Sequence, residues 1–331
     1  MKIVFNLMNC GCGNNGGTLT IFKSANTLQE LGHEVIIVDT GRNQHTWTPL
    51  KVEHRIVKNV NDIPKCDTII ATGFSTIPLT NQVSEKICSK KFSWIRAWET
   101  WKFCEYDIVH KILNLPITKV VNSLCLKDKL HSFGINSFII RPGNDLDIYK
   151  NNNIRSDRKI VLGGLVNLKH RNIKRMDWIL ETVKELKSKY KNIELVMMGN
   201  DNFSNSLIDK YYRSASEKDK VELYNNIHIW LVPNSQEGLT IPPQEAVLSG
   251  CLIIGTSAKM SGTQDYLIND QTGFVSDDNL PSFIRKVEFV VKNYHNFNDI
   301  IERGRQKIMQ LGDRHINMET FVSVINSSIR Y

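Results

Sequence analysis

Residues 237–256 read Glu-Gly-Leu-Thr-Ile-Pro-Pro-Gln-Glu-Ala-Val-Leu-Ser-Gly-Cys-Leu-Ile-Ile-Gly-Thr, and this stretch decides how the rest of the chain is interpreted. Proline fixes φ and lacks an N–H, so Pro242 and Pro243 are expected to begin a helix that stops at Gly250. Residues 251–254 are wholly apolar and bounded by glycines, which is typical of a parallel strand buried on both faces. The stretch therefore predicts a loop, a helix and a buried strand in succession.

Two carboxylates flank this helix start, Glu237 in the loop and Glu245 in the first turn. A helix N-terminus has free N–H groups that favour an anion such as a diphosphate. Carboxylates beside that anion would accept hydrogen bonds from sugar or ribose hydroxyls. The same acids could instead be a solvated loop residue and a residue that stabilises the helix dipole. The pattern by itself leaves both interpretations open.

The stretch resembles the signature of the family 4 retaining glycosyltransferases of the GT-B fold, Glu-Gly-Phe-Gly-Leu-Pro-x-x-Glu-Ala-Met-Ala-x-Gly-x-Pro-Val-Ile. Besides the two acids, the matching positions are Gly238, Pro242, Ala246 and Gly250. Thr240 replaces the second glycine of the signature, and Leu252 replaces its second proline. This resemblance favours the functional interpretation of the two acids.

The family's site residues map onto this loop and helix. The resemblance implies that Glu237 contacts the donor sugar, together with Gly238, Leu239 and Thr240. It implies that Glu245 contacts the nucleotide ribose.

The composition is that of an ordinary soluble protein. The chain has 331 residues, enough for about two domains of average size, and 41% of its residues are hydrophobic. It has no run of about 18 apolar residues, and residues 1–7 resemble a first strand more than a signal peptide. We therefore expect a cytoplasmic protein.

The cysteines and the charge narrow the classes of ligand. Seven cysteines occur without a Cys-x-x-Cys pair, which argues against a disulfide framework and against a zinc site. Cys10 and Cys12 are the one close pair, and no metal is predicted there or elsewhere. The net charge of +8 suits three polyanions: a nucleotide-sugar diphosphate, nucleic acid, or an anionic membrane that the protein would contact peripherally on its inner face.

The N-terminal segment follows a β-α-β pattern. Residues 2–7 are a short apolar run, residues 9–17 a glycine-rich loop before a helical pattern, and residues 35–38 the next apolar run. Glycines in such a loop let the backbone approach a phosphate or a sugar closely. Residues 31–38 resemble the Leu-x-x-x-Gly-His-Glu-Val of the family, and the resemblance implies that Gly16 and Gly17 contact the donor.

Residues 92–101 read Phe-Ser-Trp-Ile-Arg-Ala-Trp-Glu-Thr-Trp and allow two structures. A helix would place Trp94, Trp98 and Trp101 on one face, which suits a membrane interface or a base-stacking platform. A strand through residue 95 would instead bury the tryptophans and leave Arg96 and Glu99 on the acceptor side. Many relatives carry a histidine in this half that the chain lacks, so Glu99 is predicted to be catalytic, with Arg96 as the alternative.

A second α/β pattern begins at residue 160. It has an apolar run at residues 160–164, an amphipathic helix at 176–190 and a strand at 193–199. Three cations precede the helix, Lys169, Arg171 and Lys174. They could form a solvated helix face, or they could neutralise a diphosphate. The family has Gly-Arg-Leu-x-x-x-Lys-Gly here. The resemblance implies that Lys169 binds phosphate, and that Arg171 or Lys174 supplies the charge of the arginine that Gly164 replaces.

The resemblance runs from residue 1 to about residue 280. It implies an α/β protein of the GT-B fold, with two doubly wound Rossmann-like domains facing across a cleft. We predict an acceptor-binding domain at residues 1–150 and a nucleotide-sugar-binding domain at residues 151–312. Residues 313–331 are predicted to form a helix that crosses back to the first domain.

The function implied is that of a retaining, metal-independent hexosyltransferase-like enzyme. Its donor would be a substrate such as a UDP- or GDP-sugar, with no bound cofactor, and its acceptor a glycan, a lipid-linked sugar or nucleic acid. Glu237 would orient the sugar while Lys169 stabilises the departing diphosphate. Two alternatives stay open, a nucleotide-sugar epimerase of the same architecture and a non-catalytic nucleic-acid-binding protein. The oligomeric state does not follow from the sequence.

Overall fold

The computed structural model describes residues 1–41, 45–156 and 158–327. The chain divides into two compact units, one comprising Met1–Gly143 with Arg314–Tyr331 and the other Asn144–Asp313. Residues 328–331, the end of the predicted C-terminal helix, lie outside the described residues.

In its described residues the first unit contains a seven-stranded sheet in which all neighbours are parallel. Its strands are β1 (Lys2–Asn6), β2 (Glu34–Asp39), β3 (Glu53–Ile56), β4 (Thr68–Ala71), β5 (Lys90–Ile95), β6 (Thr118–Val121) and β7 (Phe138–Ile139). Its first four helices are α1 (Gly16–Glu30), α2 (Thr76–Gln82), α3 (Glu105–Asp107) and α4 (Leu124–His131), with a 3-10 turn at Val60–Asp62 and a π-helical segment at Ile108–Leu113.

The second unit contains a six-stranded parallel sheet in its described residues. Its strands are β8 (Ile160–Val166), β9 (Ile193–Gly199), β10 (Lys210–Arg213), β11 (Ile229–Val232), β12 (Leu252–Thr256) and β13 (Phe274–Ser276). Its helices are α5 (Arg171–Lys174), α6 (Met176–Lys189), α7 (Glu217–Asn226), α8 (Ile241–Leu248), α9 (Leu280–Asn293) and α10 (Asn298–Met309), with a 3-10 turn at Tyr294–Asn296.

Both sheets have the same strand order. The order is β3-β2-β1-β4-β5-β6-β7 in the first unit and β10-β9-β8-β11-β12-β13 in the second. In each sheet the order reverses between the first and the fourth strand in sequence, and a doubly wound sheet binds its ligands at the carboxyl edge of such a switch point. Ligand-binding groups are therefore expected in the loops after β1 and β4, and in those after β8 and β11.

The stretch at 237–256 forms the predicted loop, helix and buried strand, but the helix begins at Ile241, so Glu245 is its fifth residue and does not lie in its first turn. Helix α8 is followed by Gly250 in the left-handed region at φ +89°, and β12 is buried along its whole length. The N–H of Cys251 donates to the carbonyl of Ala246 at 2.9 Å, and that of Gly250 to the carbonyl of Val247 at 2.9 Å. These two bonds form a Schellman motif, which satisfies the last carbonyls of α8.

The last helix, α11 (Arg314–Ser327), belongs to the first unit. Met318, Phe321 and Ile325 are fully buried and join the apolar core around α1 and the first sheet. The Phe321 ring meets the Trp94 ring edge-on, with 5.4 Å between the ring centroids. The C-terminal helix therefore completes the core of the unit that begins the chain.

The tryptophans of residues 92–101 follow the strand interpretation, and the helical alternative is wrong. Trp94 lies on β5 and is fully buried, and Trp98 is 4% exposed and stacks on Phe133 with ring centroids 6.0 Å apart. Only Trp101 of the three is substantially exposed. Within the three described ranges, no helix combines the length and the apolar character that crossing a bilayer requires.

Candidate functional site

The switch point of the second unit brings two loops together. The N–H of Ser235, after β11, donates to the carbonyl of Ile173 in α5 at 2.9 Å. Next to this contact, the Lys174 ammonium forms an ion pair with the Glu237 carboxylate. The two side chains are only 16% and 20% exposed, so the pair lies in a recess and not on an open surface.

Positive charge concentrates around this pair. Burial lowers the pKa of His170, and the ammonium groups of Lys169 and Lys174 lower it further, whereas Glu237 opposes them. His170 is therefore held neutral near physiological pH, between two lysines and one carboxylate. The two lysines carry more positive charge than Glu237 neutralises, so the recess suits an anionic ligand.

The predicted phosphate-binding cations differ in their environments. Lys169 is exposed and, within the described residues, forms no ion pair. The Arg171 guanidinium is held by the Asp177 carboxylate, with Nε to Oδ2 at 2.7 Å, so its charge is already compensated. Lys174 is thus the cation that the structure brings to Glu237, whereas the sequence predicts it only as an alternative to Arg171.

Gly164 takes part in packing. A Cβ at this position would lie 2.6 Å from Cδ1 of Ile179 on α6. A side chain at this position would therefore require the Ile179 side chain to move.

The loop that carries Glu237 is fixed by a neighbouring loop, residues 260–262, that is not among the predicted site residues. The Glu237 N–H donates to the carbonyl of Met260 at 2.5 Å. Gly262 has φ +73°, and a Cβ there would lie 2.7 Å from Cβ of Glu237. A sequence signal for this contact is Gly262 itself, because only glycine combines that backbone with so close an approach.

The three predicted donor-binding residues that follow Glu237 are buried. Gly238, Leu239 and Thr240 are all buried, and the Thr240 hydroxyl donates to the carbonyl of Ser261 at 3.3 Å. The Leu239 side chain belongs to the apolar core of the second unit, so it holds the loop in place together with the Thr240 hydroxyl.

The expected anion site at the start of α8 needs a correction. The helix begins at Ile241, so Pro242 and Pro243 occupy its second and third positions. Two of the four N–H groups that a helix start normally offers are therefore absent. The Thr240 N–H already donates to the carbonyl of Gly262 at 3.4 Å. Because the helix start has so few free N–H groups, Lys169 and Lys174 are the better anion-binding groups.

Glu245 lies in the first half of α8 and is 7% exposed. Its Oε2 accepts a hydrogen bond from the Tyr224 hydroxyl at 2.8 Å and lies 4.0 Å from the Lys220 ammonium. Burial, followed by the Glu245 charge, raises the pKa of Tyr224, so the phenol remains a donor. The hydrogen bond from the buried Tyr224 hydroxyl thus fixes the orientation of the Glu245 carboxylate.

The switch point of the first unit holds a second group of predicted residues. Gly16 and Gly17 begin α1 and are exposed, and Asn15 caps the helix by accepting from the Thr18 N–H at 3.0 Å. The Arg96 guanidinium donates to the carbonyls of Gly17 and, at 2.7 Å, Thr72. It therefore links the first turn of α1 to the loop that follows β4.

Glu99 lies beside this link. It accepts from the Phe74 N–H at 3.3 Å, and burial raises its pKa. Burial also lowers the pKa of Arg96 to about 10, so the guanidinium stays charged at neutral pH. The Arg96 guanidinium, the Glu99 carboxyl group and the exposed N-terminus of α1 thus lie together at the carboxyl edge of the first sheet.

Comparisons with known proteins agree with this architecture. Residues 159–293 match the family model described as glycosyl transferases group 1. No curated protein matches the chain in sequence.

Solved structures match the chain over nearly its full length. HepE of Anabaena, solved with UDP and glucose, has a TM-score of 0.79 at 13% identity, covering 99% of this chain and 100% of its own. Sucrose-phosphate synthase of Thermosynechococcus elongatus has a TM-score of 0.77 at 13% identity, with 98% of each chain covered. The lipopolysaccharide outer core galactosyltransferase WaaB has a TM-score of 0.74 at 14% identity, covering 99% of this chain and 100% of its own. The predicted GT-B fold and the recognition of a glycosyltransferase domain are confirmed.

Proposed function

We propose that this chain, whose residues 159–293 form a group 1 glycosyltransferase domain, transfers a sugar from a nucleotide-sugar donor to an acceptor with retention of configuration. The observation that carries the proposal is the recessed Lys174–Glu237 pair at the switch point of the second sheet, with Lys169 beside it. This arrangement provides cations for a diphosphate and a carboxylate for sugar hydroxyls in one place.

The chemistry of transfer gives each residue a role. The acceptor oxygen bonds to the anomeric carbon as the bond from that carbon to the diphosphate oxygen breaks. The leaving nucleoside diphosphate gains negative charge and takes up the proton that the acceptor hydroxyl releases. Lys169 and Lys174 stabilise that charge, with the lysines in the place of a metal ion. Glu237 accepts from a sugar hydroxyl and orients the anomeric carbon toward the acceptor oxygen. Glu245 accepts from a ribose hydroxyl.

The solved neighbours suggest which donors and acceptors to test first. HepE has been solved with UDP-glucose, so a UDP-sugar is the first donor to test. WaaB is named for a lipopolysaccharide core acceptor, so a hydroxyl group of a glycan is the first acceptor class. Retention of configuration rests on the resemblance of residues 237–254 to the retaining signature.

A panel of nucleotide sugars tests the proposal. A donor present at 100 times its Kd should stabilise the native state by about 2.7 kcal/mol, which a thermal-shift measurement detects. Product analysis with a glycan acceptor should then show a new glycosidic bond of retained anomeric configuration, in the presence of EDTA as well. Conversion of the donor alone into another nucleotide sugar would support an epimerase. Stabilisation by no nucleotide sugar would overturn the proposal.

A further inference from the structure

A cluster of cysteine, aspartate and histidine lies outside the group of residues assigned to donor binding. Cys12 is in the glycine-rich loop after β1, Asp39 ends β2, and His54 is on the edge strand β3. The ligand atoms of these three residues all lie within 4.8 Å of one another. Residues far apart in sequence thus converge on one small volume of the first unit.

The distances are close to those of a tetrahedral metal centre. Cys12 Sγ lies 3.7 Å from His54 Nε2, which in turn lies 3.9 Å from Asp39 Oδ2. Zinc bonds of about 2.3 Å to sulfur and about 2.0–2.2 Å to nitrogen or oxygen place neighbouring ligand atoms about 3.3–3.6 Å apart. Small side-chain rotations would bring the three atoms onto one ion.

The arrangement is not that of a catalytic relay. In a cysteine–histidine–aspartate relay the thiol and the carboxylate bind opposite nitrogens of the imidazole ring. Here both Cys12 Sγ and Asp39 Oδ2 approach Nε2. The other nitrogen, Nδ1 of His54, is buried and has no hydrogen-bond partner among the described residues. Convergence on one nitrogen suits an ion placed between the three groups.

The burial of this cluster calls for a positive charge. The side chains of Asp39 and His54 are 2% and 6% exposed, and within the described part of the chain no lysine or arginine pairs with Asp39. A buried carboxylate normally has a cation or coordinates a metal. Gly41 adjoins it, and a Cβ there would lie 2.5 Å from Asp39 Oδ2, so that side of the carboxylate is kept free of a side chain.

We infer that Cys12, Asp39 and His54 bind a zinc ion that ties the glycine-rich loop to the edge of the first sheet. Thiolate, imidazole and carboxylate are the ligands that Zn²⁺ takes in proteins, and the Cys12 proton leaves for solvent when the thiolate binds. The three residues leave one position of a tetrahedral ion for water. The loop that the ion fixes leads directly into α1.

Metal titration of tag-free, chelator-treated protein tests this inference. Zn²⁺ should bind with one ion per chain and raise the melting temperature, and Co²⁺ should produce a thiolate-to-metal charge-transfer band. Cys12→Ser should abolish that band. Each of Cys12→Ser, Asp39→Asn and His54→Gln should weaken binding by at least about tenfold.

Cys10→Ser is the matched control, because it removes a thiol two residues away whose Sγ contacts the Ser75 hydroxyl at 3.2 Å and not the cluster. It should bind both metals like the unmodified chain. Circular dichroism of the metal-free variants establishes whether each folds. If Cys12→Ser does not fold, Asp39→Asn replaces it in the comparison with Cys10→Ser. Absence of stoichiometric binding, or equal affinity in Cys12→Ser and Cys10→Ser, would overturn the inference.

Discussion

At the scale of single residues, the three cations before α6 should contribute unequally to nucleotide binding. Lys174 pairs with Glu237, Lys169 has no ion-pair partner in the described chain, and Arg171 is neutralised by Asp177. Replacing Lys174 or Lys169 with methionine should weaken the binding of a nucleoside diphosphate by about 1.5–3 kcal/mol, the usual value of a charge-assisted hydrogen bond. Arg171→Met is the control and should change affinity little. Calorimetric titration measures all three, and a loss confined to Arg171→Met would contradict the assignment.

The two acids of the 237–245 segment should separate sugar binding from nucleotide binding. Glu237→Gln should lower kcat yet leave the affinity for free nucleoside diphosphate nearly intact, because that ligand has no sugar. Glu245→Gln should weaken both the donor and the free nucleotide by about 1.5–3 kcal/mol, through the ribose. Titration with the nucleoside diphosphate, alongside turnover of the donor, measures the two effects.

Tyr224→Phe provides the control for Glu245. It removes the internal hydrogen bond to the carboxylate but keeps the charge that would meet the ribose. If the loss in Glu245→Gln reflects only a disturbed interior, Tyr224→Phe should reproduce it. Equal losses of nucleotide affinity in the two glutamine variants would refute the division of roles.

At the scale of elements, the end of α8 depends on Gly250. An alanine there would adopt φ +89° and place its Cβ 2.6 Å from Asn151 Cγ and 2.9 Å from Arg155 Nη1. The left-handed backbone alone costs about 1–2 kcal/mol for a residue with a side chain. We therefore expect Gly250→Ala to lower the free energy of unfolding by more than this amount, as measured by urea denaturation.

The matched control for that experiment is Gly134→Ala. Gly134 has φ +73°, and a Cβ there would meet nothing within 4 Å. Its substitution should therefore show the backbone cost without the crowding. Equal destabilisation in the two variants would mean that Asn151 and Arg155 move aside without lowering the free energy of unfolding.

At the scale of the whole molecule, the C-terminal helix α11 contributes fully buried side chains to the core of the first unit. Phe321 is fully buried and meets the ring of Trp94, so Phe321→Ala should lower the stability of this unit by about 3–5 kcal/mol. Urea unfolding followed by tryptophan fluorescence, to which Trp94 contributes, measures this loss. Phe289→Ala is the control, since Phe289 is 48% exposed on α9, and it should cost much less. A small effect of Phe321→Ala would show that the core of the first unit closes without α11.

The sequence by itself determined the elements whose signals are local. Helix α8 and strand β12 lie where the prolines, Gly250 and the apolar run at 251–254 put them, because backbone geometry and burial of a short run depend on adjacent residues. The resemblance of the same stretch identified the glycosyltransferase domain and placed Glu237 in a loop.

The tertiary structure alone decided which side chains meet. Arg175 takes a left-handed backbone at φ +50°, which ends α5 so that Lys174 reaches Glu237 while Arg171 turns to Asp177. No rule of sequence spacing predicts which carboxylate each of these cations meets, because the pairing depends on the turn at Arg175 and on the loop after β11.

The same holds for the cluster of Cys12, Asp39 and His54. Cysteine spacing argued against a metal site, since such rules look for ligands that are close in sequence. A parallel sheet brings the ends of distant strands to one edge, so ligands from β2, β3 and the loop after β1 come together only once the sheet has formed.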